Sequence, residues 1–180
     1  MAPHAGRVPW IPVCAVGMRL RQAIKQLQVQ MPFLAKNNDL QVKVMGVSNT
    51  RKMLLSPNGI ALENWEETLN AQGETANLED FVAQMKAMNL PNCVFVDNTA
   101  SPKPVPFYQG VFEASISVVT CNKIGNSASF AQYETFKNTA RKFGVDFYYE
   151  TNVGAGLPII RTLKDLMMSG DKIARIEAIL

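Results

Sequence analysis

Apolar positions recur along this chain in two alternating rhythms. From about Met18 to Met31, Leu20, Ile24, Leu27 and Met31 fall at helical spacing while Arg21, Lys25 and Gln28 take the other side, which predicts an amphipathic helix. Leu40 to Val47 then reads as a strand, emptying into the polar turn Ser48-Asn49-Thr50-Arg51. The segment from Met53 to Ala76 is loop-rich, with a short helix around Leu62, Trp65 and Leu69. Asn77 is placed as an N-cap, with Glu79 and Asp80 in the first turn where acids favour the helix dipole. That helix carries Phe81, Val82, Met85 and Met88 and leads to a strand from Cys93 to Val96. A helix from about Pro106 to Ala114, a strand from Ile116 to Val119, a long helix capped by Ser127 and reaching Phe143, and a strand from Val145 to Tyr149 follow. Pro158 opens a helix that Gly170 closes. Strands alternating with helices predict an α/β fold with a mainly parallel sheet and helices on both faces.

The two ends fit this rhythm less well. Met1 to Val16 holds Pro3, Pro9 and Pro12 and shows no clean strand pattern, although a dinucleotide-binding fold needs its first strand there, feeding a Gly-x-Gly-x-x-Gly turn. Gly17 reads as the last glycine of that turn, with Pro12 and Cys14 at the places of the first two, which would crowd the approach to a diphosphate. Lys172 to Leu180 reads as a terminal strand without a neighbour, and the chain is read as a fragment on that ground.

Composition narrows the function. At 47% hydrophobic and 18% charged residues the chain is that of a folded protein, and its +3 net charge comes from scattered basic residues, which excludes a nucleic-acid groove. No apolar run is long enough for a membrane helix and no secretory signal pattern opens the chain, so no membrane partner is expected and the cytoplasm is the expected location. Cys14, Cys93 and Cys121 lack zinc-ligand spacing, and Cys93 and Cys121 are expected as small buried hydrophobes.

Two strand–loop–helix junctions carry the candidate chemistry. One is Val118-Val119-Thr120-Cys121-Asn122-Lys123; the other is Tyr149-Glu150-Thr151-Asn152-Val153-Gly154-Ala155-Gly156-Leu157-Pro158. Open α/β sheets bind ligands at the carboxyl ends of their strands, so the two are expected to share one crevice. On residue chemistry alone Lys123 is either an active-site lysine or a solvated loop lysine. Cys121 as a nucleophile lacks a partner, because the only histidine is His4, in the unmatched N-terminal stretch.

From about Ile24 to Leu180 the chain resembles homoserine dehydrogenase, in the form fused to aspartokinase. The runs that carry the resemblance are Val96-Asp97-Asn98-Thr99-Ala100-Ser101, Ser117 to Lys123, Tyr149 to Ile160, and Ser169-Gly170-Asp171-Lys172-Ile173, in order and at the family's gaps. The resemblance implies a Rossmann-like NAD(P)-binding domain over residues 1–150, with 1–22 atypical, and the first helix and strand of a catalytic domain over 151–180. The implied reaction is the NAD(P)-dependent interconversion of L-homoserine and L-aspartate 4-semialdehyde, on the route to threonine and methionine. Gly17, Thr99 and Ser101 would meet the cofactor's phosphates and ribose. Ser48, Asn49 and Arg51 would face the adenosine ribose, with Arg51 on a 2′-phosphate favouring NADP over NAD. Lys123 would sit beside the nicotinamide, orienting the substrate oxygen and assisting proton transfer. Glu150, Val153, Ala155 and Leu157 match the family's monovalent-cation loop, which takes sodium. Hard cations want oxygen ligands, and Gly154 and Gly156 leave the backbone free to curl. The family's acidic substrate-binding residues and second lysine lie beyond Leu180, so the chain is expected to be inactive alone. The resemblance also implies a homo-oligomer. The alternatives are a non-catalytic NADP(H)-binding module and a fragment that dimerises through its last strand.

Overall fold

The run Trp10-Ile11-Pro12-Val13-Cys14-Ala15-Val16, which shows no alternation of polar and apolar residues, is strand β1 and sits at the middle of the sheet. In the computed structural model, which describes residues 10–177, β1 (Trp10–Val16) is buried along nearly its whole length. A central strand covered on both faces has no polar side to alternate with, which is why its pattern is featureless. Residues 1–9, including His4, lie outside the described part.

Seven strands form one sheet in the order β4-β3-β2-β1-β5-β6-β7. β2 (Gln41–Ser48) and β5 (Val94–Asp97) flank β1 in parallel; β6 (Ser117–Thr120) and β7 (Phe147–Tyr148) continue in parallel beyond β5. β3 (Lys52–Leu55) and β4 (Glu74–Thr75) add an antiparallel edge within the stretch expected to be loop-rich. Register between β1 and β2 shifts between Val13 and Cys14, so that Val13 opposes Val44 and Cys14 opposes Gly46. Met45 is therefore a bulge residue, and the bulge reverses the alternation: Val42 and Val44 point to one face, Met45 to the other, and Val47 back to the first.

Helix α1 (Leu20–Asn38) and α2 (Trp65–Gln72) cover one face through Leu20, Ile24 and Leu69 against Val13, Ala15 and Val44. α1 runs past Met31 and carries Pro32 inside it, with Leu34 extending the half-buried stripe. Helices α3 (Leu78–Ala87), α4 (Tyr108–Glu113) and α6 (Phe130–Phe143) cover the other face. There Tyr108 packs on Phe136 at 5.5 Å between ring centroids and Phe112 on Phe147 at 5.4 Å. Such pairs add about 0.5–1.5 kcal/mol each beyond the area they bury. The first face is less completely covered: Val119 of β6 and Tyr148 of β7 remain exposed.

Asn77 caps α3 as expected, its Oδ1 accepting from the backbone N–H groups of Glu79 and Asp80. The expected long helix after β6 divides in two. A short α5 (Ile124–Ser127) precedes α6, whose cap is Ser129 and not Ser127. Ser129 has the extended backbone a cap needs, and its hydroxyl accepts from Gln132 N at 3.1 Å, whereas Ser127 ends the preceding helix. Pro158 precedes α7 (Ile159–Met168), and none of that helix's residues is buried. The expected strand from Lys172 is absent over residues 172–177, which pair with nothing; residues 178–180 lie outside the described part. Among the described residues no helix is long and apolar enough to cross a membrane.

Candidate functional site

The sheet changes direction at β1: the chain moves from β1 outward to β2 on one side and later returns to β5 on the other. Ligands of open α/β sheets bind at such a switch point, outside the carboxyl ends of the strands. A cavity of about 890 Å³ opens at this place, lined from the β1–α1 turn by Gly17 and Arg19, from the end of β2 by Ser48 and Asn49, and from the loop after β5 by Thr99 and Ser101.

Gly17 shows why glycine stands there. Its φ is +131°, its N–H donates to Ser48 O at 2.9 Å, and a Cβ on it would lie 2.5 Å from Asn98 O. The strand ends at Val16, so Gly17 is the first glycine of the turn and not the last; Pro12 and Cys14, expected in the turn, are buried within β1. That correction removes the crowding expected from Pro12 and Cys14, because neither reaches the cavity.

At the end of β2, Asn49 Oδ1 accepts from Arg51 N at 2.7 Å and Lys52 N at 2.8 Å, closing the turn into β3. The turn leaves the Arg51 side chain exposed just outside the cavity lining. Among the described residues no acidic one lines the cavity, whereas a carboxylate at this point is what holds the ribose 2′-hydroxyl in NAD-binding sheets.

The loop after β5 is held by a buried network that sequence reasoning did not single out. Asp97, fully buried, accepts through Oδ1 from Thr99 N at 2.8 Å. Through Oδ2 it accepts from Tyr108 Oη at 2.6 Å and Asn122 Nδ2 at 3.0 Å. Thr120 Oγ1 accepts from Asn122 N at 2.9 Å and lies 2.9 Å from Tyr108 Oη. Asn122 Nδ2 also reaches Ser101 O at 2.7 Å and Thr99 Oγ1 at 3.2 Å. The network locks the carboxyl ends of β5 and β6 together and sets the placement of Thr99 and Ser101. Burial, then the Asp97 charge, push the Tyr108 hydroxyl well above the ordinary tyrosine range. The only hint in the sequence was a cluster of polar residues straight after apolar strands.

Lys123 follows Asn122 at the start of α5, exposed and outside the lining of this cavity. Cys121 does line it and is exposed, unlike buried Cys14 and Cys93, which corrects its expected burial. Partial desolvation of its sulfur and the nearby Asp97 push its thiol pKa up, away from an activated thiolate.

The second junction lies against the first, Asn152 Nδ2 donating to Asn122 O at 3.4 Å, but contributes no residue to the lining of the switch-point cavity. Glu150 Oε1 accepts from Ile160 N at 2.8 Å and Oε2 from Arg161 N at 2.9 Å, so the carboxylate caps α7. Gly154 and Ala155 both take left-handed backbone, φ +70° and +53°, which curls the loop between cap and helix. A Cβ on Gly154 would run into Ile159. The Leu157 carbonyl already accepts from Ile159 N at 2.9 Å, while those of Val153 and Ala155 accept no backbone hydrogen bond among the described residues. No group of three or more His, Cys, Asp and Glu side chains gathers as a metal site among the described residues. A cation here would rely on carbonyls and on the remaining lone pairs of Glu150, a donor set that fits a hard monovalent ion.

Comparison with known proteins bears on both junctions. The family described as "Homoserine dehydrogenase, NAD binding domain" matches residues 14–150. The chain is 39% identical over 164 residues to a chloroplastic bifunctional aspartokinase/homoserine dehydrogenase 1 of Zea mays, covering 91% of this chain and 18% of that protein. It is 33% identical over 159 residues to the bifunctional aspartokinase/homoserine dehydrogenase of Haemophilus influenzae, covering 88% and 19%. The chain thus spans about a fifth of the length of these relatives. A hyperthermophilic archaeal homoserine dehydrogenase in complex with NADPH shares the fold, with a TM-score of 0.66 at 20% identity over 86% of this chain and 48% of that one. With strand order, cavity and matched residues in agreement, the chain belongs to the homoserine dehydrogenase family of NAD(P)-dependent oxidoreductases, as its NAD(P)-binding domain.

Proposed function

We propose that this chain binds NADP(H) at the switch-point cavity and serves the interconversion of L-homoserine and L-aspartate 4-semialdehyde. The observation that carries the cofactor preference is the end of β2, where the turn presents Arg51 and no carboxylate. A guanidinium there suits a 2′-phosphate, which an acid would repel. Gly17 leaves the cavity wall free of a side chain for the cofactor to approach, and the hydroxyls of Ser48, Thr99 and Ser101 meet its phosphates and riboses. A nicotinamide held there would supply hydride chemistry at the alcohol carbon of homoserine and the aldehyde carbon of the semialdehyde. Lys123 orients the substrate oxygen and assists transfer of its proton, from its place one residue after the buried Asn122 anchor. Glu150, Val153, Ala155 and Leu157 hold a sodium ion that fixes the second junction. Residues 151–180 open the catalytic domain, a reading supported by the absence of any buried residue on α7. Its exposed Leu166 and Met168 support a homo-oligomer or a covering domain. The three unpaired cysteines suit a reducing compartment such as the cytoplasm.

Titration of the chain with NADPH and NADH, followed by nicotinamide fluorescence, tests the reading. Saturable binding of NADPH is expected to exceed that of NADH about tenfold, and Arg51→Met to bring the two together. Equal affinities in the unsubstituted chain refute the preference, and no binding of either refutes the cofactor site.

A further inference from the structure

The β1–α1 turn departs from a phosphate-binding turn in a way that changes how a diphosphate can be held. With Gly17 in first place after the strand, the second and third glycine positions fall on Arg19 and Gln22. Gln22 is exposed and does not wedge the helix away from the sheet, which Leu20 and Ile24 contact while only 2% exposed. Arg19 is the consequential change. A glycine there lets bare backbone come up against the diphosphate, whereas arginine brings a Cβ and a long cationic side chain.

Where that side chain sits matters. Arg19 immediately precedes α1, with φ −101° and ψ 19°, and lines the cavity along with Gly17, Asn98 and Cys121. Among the described residues it enters no ion pair, unlike Arg21, which is bound to Glu66. Its charge reaches across to Cys121, where it opposes the upward push on the thiol. Among the described residues the other charged one of the lining is Lys103, from the loop after β5, and none is acidic. The first turn of α1 also lacks an acid, so the positive end of the helix dipole is not offset.

We propose that Arg19 is the diphosphate-binding residue of this chain, its guanidinium supplying from the side chain the donors that a glycine turn supplies from the backbone. The inference rests on the reading of this cavity as the dinucleotide site. A planar fork of N–H donors matches two phosphate oxygens at once, and Lys103 adds a point charge from another element.

The test uses two ligands that differ in the group at issue: NADPH, and adenosine 2′-monophosphate, which keeps the 2′-phosphate but has no diphosphate. Binding of each is measured by calorimetry for the unsubstituted chain, Arg19→Met, Arg19→Lys, Arg19→Gly and Arg51→Met. Circular dichroism checks that each exposed-site variant is folded. Arg19→Met is expected to weaken NADPH about tenfold or more while leaving adenosine 2′-monophosphate within about twofold. Arg19→Lys recovers part of the loss, and Arg51→Met weakens both ligands. Unchanged NADPH affinity in Arg19→Met overturns the inference, as does tighter binding in Arg19→Gly, which would make Arg19 an obstruction. Failure of the unsubstituted chain to bind NADPH overturns the cofactor reading itself and this inference with it.

Discussion

Replacing Asp97 by alanine should destabilise the domain well beyond the effect of deleting a surface carboxylate. The side chain is fully buried and accepts from three donors: Thr99 N at 2.8 Å, Tyr108 Oη at 2.6 Å and Asn122 Nδ2 at 3.0 Å. Each bond to a charged group contributes about 1.5–3 kcal/mol, so the gross loss is large. Much of it is offset, because alanine also abolishes the cost of burying the charge, several kcal/mol in effect. What decides the net is the donors left behind. Tyr108 keeps Thr120 Oγ1 at 2.9 Å and Asn122 keeps Ser101 O at 2.7 Å, but Thr99 N has no second acceptor. One orphaned donor costs about 1–3 kcal/mol and the small void about 1 more, giving a net loss of about 2–4 kcal/mol. With a urea slope of about 2 kcal/mol/M, the unfolding midpoint should fall by about 1–2 M. Urea unfolding followed by circular dichroism measures this directly. A fall of less than about 0.3 M would mean that burial of the charge cancels the bonds and that the network does not hold the loop. A double-mutant cycle with Asn122→Ala should then show coupling of about 1 kcal/mol or more, since the two share a bond.

Three further substitutions probe other parts of the argument. The raised Tyr108 pKa means the folded protein holds that proton more tightly than the unfolded chain. Stability from this source is therefore full below about pH 10 and falls as the pH rises beyond it. Thermal melts of Tyr108→Phe should show a shallower alkaline limb, not a flat one, because burial also raises Tyr133 and Tyr148; an unchanged limb would sink the assignment. Gly17→Ala forces a side chain at φ +131° to within 2.5 Å of Asn98 O, so a loss of about 2 kcal/mol or more is expected by urea unfolding, with wild-type stability as the contrary result. Glu150→Ala removes the acceptor of Ile160 N and Arg161 N. Hydrogen exchange at those two amides should quicken by about tenfold, consistent with a cap of about 1–2 kcal/mol; unaltered protection would show that the carboxylate does not cap α7.

The family resemblance and part of the cavity lining were legible in short runs of sequence, whereas Arg19 and Lys103 of the same lining were not. Ser48, Asn49, Thr99 and Ser101 were located because each stands where an apolar strand gives way to a polar loop, and all of them line the cavity. Arg51, after β2, and Lys123, after β6, stay outside the lining, because a loop's position says little about where an exposed side chain extends. The Asp97–Tyr108–Thr120–Asn122 network was not legible. Its members are 11 to 25 residues apart from Asp97 and meet only because β5 and β6 pair in parallel with Asp97 opposite Thr120.

Local chemistry by itself determined the elements whose signals lie within one turn or one strand. The cap at Asn77, the stripe of α1, and the strand-to-loop transitions after Val47, Val96 and Val119 all follow from neighbours a few residues apart. Tertiary structure alone decided the register of the β1–α1 turn. A strand buried on both faces carries no polar alternation, so its end cannot be located from its own residues. Pairing with β2 and β5 ends it at Val16, makes Gly17 the first glycine, and leaves Arg19 at the mouth of the cavity. Likewise Lys172 to Glu177 has strand-forming residues but no strand, because strand structure needs a partner's hydrogen bonds and the described residues supply none there.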